Sequence, residues 1–183
     1  MASQDTPWEK WLQPVWWLVK DEQRLKGLER VRDWPKESDR FREANFIYPE
    51  YYRGQNFYGI EGGYLSVEAA LSYDSIISST LPPNEAWVRG ELLRAIQVKP
   101  RRILDLGCGT GSTTLLLKKA FPEAEVIGID LSPYMLAMAD YKAQQEGLDI
   151  HWWQRRAENT LLAAQSVDLI AICLLYTSPS PRD

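Results

Sequence analysis

The chain has 183 residues, 45% of them hydrophobic and 25% charged, an ordinary globular composition that excludes wholesale disorder and leaves room for one domain or one domain with an appendage. Lys and Arg number 21 against 25 Asp and Glu, a net charge of -4 that disfavours nucleic-acid binding over a broad face. Two cysteines, Cys108 and Cys173, exclude a disulfide scaffold and fit a reducing, cytoplasmic compartment. No signal peptide and no membrane span is expected, because no apolar run approaches the roughly 20 residues a span requires.

Thr6, Pro7 and Glu9 form a helix-start signal, and Trp8, Trp11, Leu12, Val15, Trp16 and Val19 recur on one helical face. Pro14 should kink this helix. Eight tryptophans occur in the chain, five of them between Trp8 and Trp34. The expected role of this stripe is a cap on the sheet domain, with a membrane surface, a protein partner or an apolar acceptor as the other readings. The mixed-charge stretch from Lys20 to Arg32 keeps helical period, with Leu25 and Leu28 inward. Residues 46–63 are turn-rich and aromatic and predict a loop; Tyr48, Tyr51, Tyr52, Phe57 and Tyr58 are placed either to close over a ligand or to tuck onto the core. Residues 64–78 and 83–98 predict two further helices. A composition shift near Pro100 divides an N-terminal helical cap region, 1–100, from the remainder of the chain.

From Arg102 the pattern alternates between short apolar strands and helices. Strands are expected at 103–106, 125–129, 150–153 and 167–172, with helices at 111–121 and 132–146. Such alternation implies an α/β domain with a parallel sheet and right-handed crossovers, over 101–172.

The chemistry concentrates in Asp105-Leu106-Gly107-Cys108-Gly109-Thr110-Gly111, set between a strand and a helix. The glycines let the backbone turn tightly and let a ligand approach. The helix behind them points its first N–H groups toward that ligand. A dinucleotide fingerprint would read G-x-G-x-x-G; here the spacing is G-x-G-x-G with Asp105 two residues ahead, a carboxylate that would repel a pyrophosphate and favour a cationic ligand end. Val126-Ile127-Gly128-Ile129-Asp130 ends the next strand on a second carboxylate, 19 residues after Gly111, placed to accept ribose hydroxyls.

These two motifs, in this order, resemble the class I S-adenosylmethionine-dependent methyltransferases of the small-molecule type, over about residues 101–172. The resemblance implies a Rossmann-like sheet with S-adenosyl-L-methionine as cofactor and a small methyl acceptor, apolar or aromatic. It also implies that Gly107, Gly109 and Gly111, with Cys108 as a small filler, cradle the methionine portion. Asp105 would anchor the amino group, Asp130 the ribose, and Leu131 would pack near the adenine. Arg155-Arg156-Ala157-Glu158 falls where the family has Gly-Asp-Ala-Glu, so Arg156 replaces the expected adenine-contacting acid and leaves Ala157 and Glu158 as candidates. No catalytic residue is singled out. Transfer from a sulfonium needs in-line positioning more than a base, and His151, the single histidine, lies inside a strand. No metal site is expected. A nicotinamide-dependent reductase is disfavoured by the glycine spacing, and a non-catalytic module that binds a cofactor or a partner through the Trp-rich helix stays as the alternative.

Residues 173–183 are similar to a translated sequencing-library adapter, and are expected to be an artefactual tail. On that reading the domain stops after its fourth strand, the acceptor loops are missing, and the chain is expected to bind cofactor weakly and turn over poorly.

Overall fold

A computed structural model describes residues 26–52, 63–80 and 84–173. Residues 1–25 with their Trp-rich segment, the loop residues Phe57 and Tyr58, and residues 174–183 lie outside the described residues. The chain divides into two compact units, residues 1–33 and 34–183, so the composition shift near residue 100 falls inside the second. Of the first unit, residues 26–31 are helical, in keeping with the mixed-charge helix expected there.

The second unit opens with α1 (Trp34–Asp39), a six-residue helix that the sequence reading did not separate. Its Trp34 is buried and meets the ring of Tyr141 edge-on at 5.5 Å. A single 3-10 turn, Glu50–Tyr52, lies in the aromatic stretch. Helices α2 (Val67–Thr80) and α3 (Asn84–Ala95) come next, close to their expected positions. The sheet region then runs β1 (Arg102–Leu106), α4 (Ser112–Ala120), β2 (Glu125–Asp130), α5 (Pro133–Gln145), β3 (His151–Gln154) and β4 (Leu169–Ile172).

All strand pairs are parallel, in the order β3-β2-β1-β4. The period-two alternation of each strand sorts its side chains onto two faces. Ile103, Val126, Trp152 and Ala171 join Leu115, Leu117, Leu136, Ala139 and Ala143 of α4 and α5 in the main core. Leu104, Ile127 and Ile129 face the other way and pack with Trp153, Leu162 and Val167. Leu162 and Val167 of the long connection from β3 to β4 therefore cover part of the face that α4 and α5 leave open.

Two local devices set the strand and helix starts. The Asp168 carboxylate accepts the backbone N–H groups of Arg101 and Arg102 at 2.8 and 2.9 Å, tying the start of β4 to the start of β1. Ser132 caps α5: its hydroxyl accepts the Met135 N–H at 3.3 Å, and Pro133 takes the first helical position. β4 is the sheet edge among the described strands, and Ile170 and Ile172 are 53% and 56% exposed there.

Candidate functional site

The chain enters the sheet at β1, moves outward through β2 to β3, then returns to the opposite side of β1 as β4. That reversal makes a crevice at the carboxyl ends of β1 and β4, where open α/β sheets bind ligands. A cleft is found there, lined by Asp105, Gly107 and Cys108 from the end of β1, Thr110, Ser112 and Thr113 leading into α4, Tyr73 and Arg89 from α2 and α3, and Cys173 just after β4.

The glycine loop has the backbone its composition requires. Gly107, Gly109 and Gly111 have φ of 66°, 54° and 78°, a region that strains any residue with a Cβ. Gly111 leads α4 without a side-chain cap, so no side-chain oxygen takes the first-turn N–H groups of that helix. Cys108 donates its N–H to Ile129 at 3.0 Å, and burial pushes its thiol well above the ordinary range, which fits a space-filling role rather than a nucleophile.

Asp105 is 1% exposed. Its Oδ2 accepts the Thr114 hydroxyl at 2.6 Å, while Oδ1 is buried with no hydrogen-bond partner. Burial raises its pKa to about 7; the Thr114 hydrogen bond and the nearby Arg89 guanidinium pull the other way. An orphaned buried carboxylate oxygen is costly unless a donor reaches it. Here it belongs to a residue that lines the cleft, so the arrangement suits a cationic group.

Asp130, at the end of β2, is not among the residues lining the cleft but braces the glycine loop from behind. Its Oδ2 accepts the Gly109 N–H at 2.9 Å and its Oδ1 accepts the Ser132 N–H at 2.8 Å. The carboxylate thus holds the glycine loop to the start of α5, and each oxygen keeps a second lone pair for a ligand hydroxyl. Burial raises its pKa, and the backbone donors of Ser132 and Gly109 oppose that shift.

Two polar clusters were not singled out in the sequence. Lys142 of α5 reaches Asp74 Oδ2 at 2.8 Å and Ser112 Oγ at 2.9 Å, and Thr110 donates to Asp74 Oδ1 at 2.5 Å. The cluster ties α2 and α5 to the glycine loop. Because both charges are partly buried and share hydroxyl partners, Asp74→Asn should lower stability by about 1–2 kcal/mol, read as a shift in the urea midpoint at unchanged slope. The second cluster centres on Gln154, 1% exposed at the end of β3. Its Oε1 accepts the Glu43 N–H at 2.8 Å, and its Nε2 donates to Leu131 O at 2.8 Å and to the Tyr48 hydroxyl at 2.9 Å. Neither cluster has a local motif. Asp74 and Lys142 lie 68 residues apart, Gln154 and Tyr48 106 apart.

The aromatic stretch forms a row rather than isolated surface rings. Tyr48 stacks with Tyr52 at 6.3 Å, Tyr52 lies 6.4 Å from Tyr64, and Tyr64 meets Tyr73 edge-on at 5.5 Å. Tyr73 carries the row to the cleft beside Gly109. Leu131 is half-buried on the Gln154 side. Ala157 and Glu158 are exposed on the turn after β3, where Arg156 approaches Glu158 at 3.7 Å. His151 is exposed, 3.9 Å from Glu125, away from the cleft-lining residues. No group of His, Cys, Asp and Glu among the described residues is arranged to hold a metal.

Residues 103–183 match the family model described as a methyltransferase domain. Over these residues the chain is similar to the class I methyltransferases. The domain is 44% identical over 71 residues to a demethylmenaquinone methyltransferase of Thermus thermophilus, covering 39% of this chain and 32% of that one. It is 52% identical over 50 residues to a trans-aconitate 2-methyltransferase of Methylobacterium radiotolerans, covering 27% and 19%. The chain thus spans a third or less of the length of these curated relatives. Among solved structures, a candidate S-adenosyl-L-methionine-dependent methyltransferase of Methanococcus maripaludis superposes with a TM-score of 0.55 at 15% identity, over 76% of this chain and 57% of that one, a likeness of fold. The match begins within β1, so Tyr73 and Arg89 reach the cleft from outside the matched residues.

Proposed function

We propose that this methyltransferase domain binds S-adenosyl-L-methionine and passes its methyl group to a small acceptor of apolar or aromatic character. The observation that carries the reading is the pairing of the orphaned Asp105 oxygen with the Asp130-braced glycine loop at one crevice. Asp105 takes the ammonium of the methionine portion. Gly107, Gly109 and Gly111 let that portion lie against the backbone, with Cys108 filling the space beneath. Asp130 accepts the ribose hydroxyls with its remaining lone pairs, and Leu131 lies toward the adenine. Ala157 and Glu158 are the proposed flank of the adenine site, with Arg156 standing where the family has an acid.

When bound, S-adenosyl-L-methionine would supply a methyl activated on a sulfonium, leaving as S-adenosylhomocysteine once an acceptor lone pair takes the methyl, with any acceptor proton passing to solvent. The protein's part is to hold donor and acceptor in line and to exclude water, which supplies much of the acceleration. The tyrosine row suggests an apolar or aromatic acceptor, and the Trp-rich N-terminal segment is proposed as a peripheral contact to a membrane surface or a protein partner. The two free cysteines go with a cytoplasmic setting. No described helix is long and apolar enough to cross a membrane.

The test is transfer of radiolabelled methyl from S-adenosyl-L-methionine to a panel of small quinols, phenols and carboxylic acids. The reading expects label in one aromatic or apolar class and its loss, by at least about tenfold, with Asp130→Ala. Label in the polar carboxylic acids alone would overturn the acceptor class.

A further inference from the structure

We propose that Asp74 and Lys142 are positioning residues for donor binding: by fastening α2 to the glycine loop, they make an upstream helix a condition of donor affinity. The proposal rests on the methyl-donor reading. Three of the five residues from Gly107 to Gly111 are glycines, the residue that loses most backbone freedom on ordering. Contacts from outside the loop must therefore hold it. Asp130 holds it from behind, through the Gly109 N–H. Asp74 of α2 holds it from the other side. Its Oδ1 accepts the Thr110 hydroxyl at 2.5 Å and the Ser112 hydroxyl at 3.4 Å, and its Oδ2 accepts Lys142 Nζ at 2.8 Å. Lys142, on α5, donates also to Ser112 Oγ at 2.9 Å and to Thr110 Oγ1 at 3.4 Å. One ion pair thus takes up both hydroxyls that flank Gly111. Thr110 and Ser112 line the cleft, whereas Asp74 and Lys142 do not, so the pair acts on a ligand only through the loop. Helix α2 lies upstream of the matched residues. It keeps an apolar seat of its own, with Ala69, Ala70, Leu71 and Ile77 buried, so losing the pair should free the loop without freeing the helix.

The rival role for the pair is a brace that serves global stability alone. Such a brace leaves affinity almost untouched while the chain stays folded, because apparent affinity falls only with the competent fraction. Titration calorimetry of the full chain with S-adenosylhomocysteine separates the two roles, run where urea unfolding shows each variant at least about 95% folded. Asp74→Ala and Lys142→Met should each bind about tenfold or more weakly. The double variant should be within about twofold of the weaker single variant, since both changes remove one coupling. Lys142→Arg, which keeps the charge, should recover part of the affinity. Coupling is reciprocal, so saturating S-adenosylhomocysteine should slow hydrogen exchange at the α2 amides of wild type, and slow it less in Lys142→Met. Folded variants with wild-type affinity would overturn the proposal and leave the brace. So would α2 exchange in wild type that does not respond to bound S-adenosylhomocysteine, a result that does not depend on any variant folding. A folded wild-type chain that binds no S-adenosylhomocysteine would overturn the donor reading and the positioning role together.

Discussion

Affinity for S-adenosylhomocysteine should rise about tenfold for each pH unit up to about pH 7 and then level off. Asp105, with its pKa raised to about 7 by burial, is a neutral acid below that pH and offers the ligand ammonium no charge. Binding must then expel the proton, so calorimetry at pH 6 in buffers of different ionisation heat should detect proton release. Asp105→Asn should bind about 10–100-fold more weakly at pH 8 and lose the pH dependence. The same group governs stability. Its folded pKa lies above the ordinary carboxylate value of 3.8, so its protonated form suits the fold. The stability it contributes is complete below about pH 4 and is lost as pH rises to about 7, by an amount on the order of 4 kcal/mol. Urea unfolding at pH 5 and pH 8 should show wild type losing stability relative to Asp105→Asn across this window. A constant difference between the two would contradict a buried, ligand-seeking carboxylate.

The largest effect on folding is expected from Gly128→Ala. A Cβ at Gly128 would lie 2.5 and 2.6 Å from ring carbons of Trp152 on the adjacent strand, and 3.1 Å from the Cys108 sulfur. The same indole presses on Gly111, where a Cβ would meet it at 2.8 Å and the Ala139 methyl at 2.8 Å. The indole is buried in the main core and cannot swing to solvent without opening it. Overpacking at such a site costs about 3 kcal/mol or more. Adding Trp152→Leu to Gly128→Ala should recover part of the loss, because it shortens the ring that clashes. A double variant no more stable than Gly128→Ala, measured by urea unfolding, would show that the clash is not the cause.

The parts legible from sequence were those with a local signature. Strand alternation from Ile103 to Asp130 gave β1, α4 and β2 nearly to the residue, because each strand is buried on both faces and its apolar run ends at a turn. The glycine loop and its two acids were equally readable, since the spacing itself dictates the turn. What stayed hidden was non-local. Gly128 looks like any small residue in a strand until Trp152 lies across it. Asp74, Lys142 and Gln154 carry no motif, and their partners are brought to them only by the folding of α2, α5 and the segment around Glu43 and Tyr48. Helix α1 was missed because six residues with a proline at the second position carry too short a period to read. Arg89 carries no motif either, and only the position of α3 brings it beside Thr113.

The most direct test of the central claim is parallel titration of the purified chain with S-adenosylhomocysteine and with a nicotinamide dinucleotide. The account predicts micromolar binding of the first, loss of that binding in Asp130→Ala, and no measurable binding of the second. A well-folded chain that takes up no S-adenosylhomocysteine, or that prefers the dinucleotide, would contradict it.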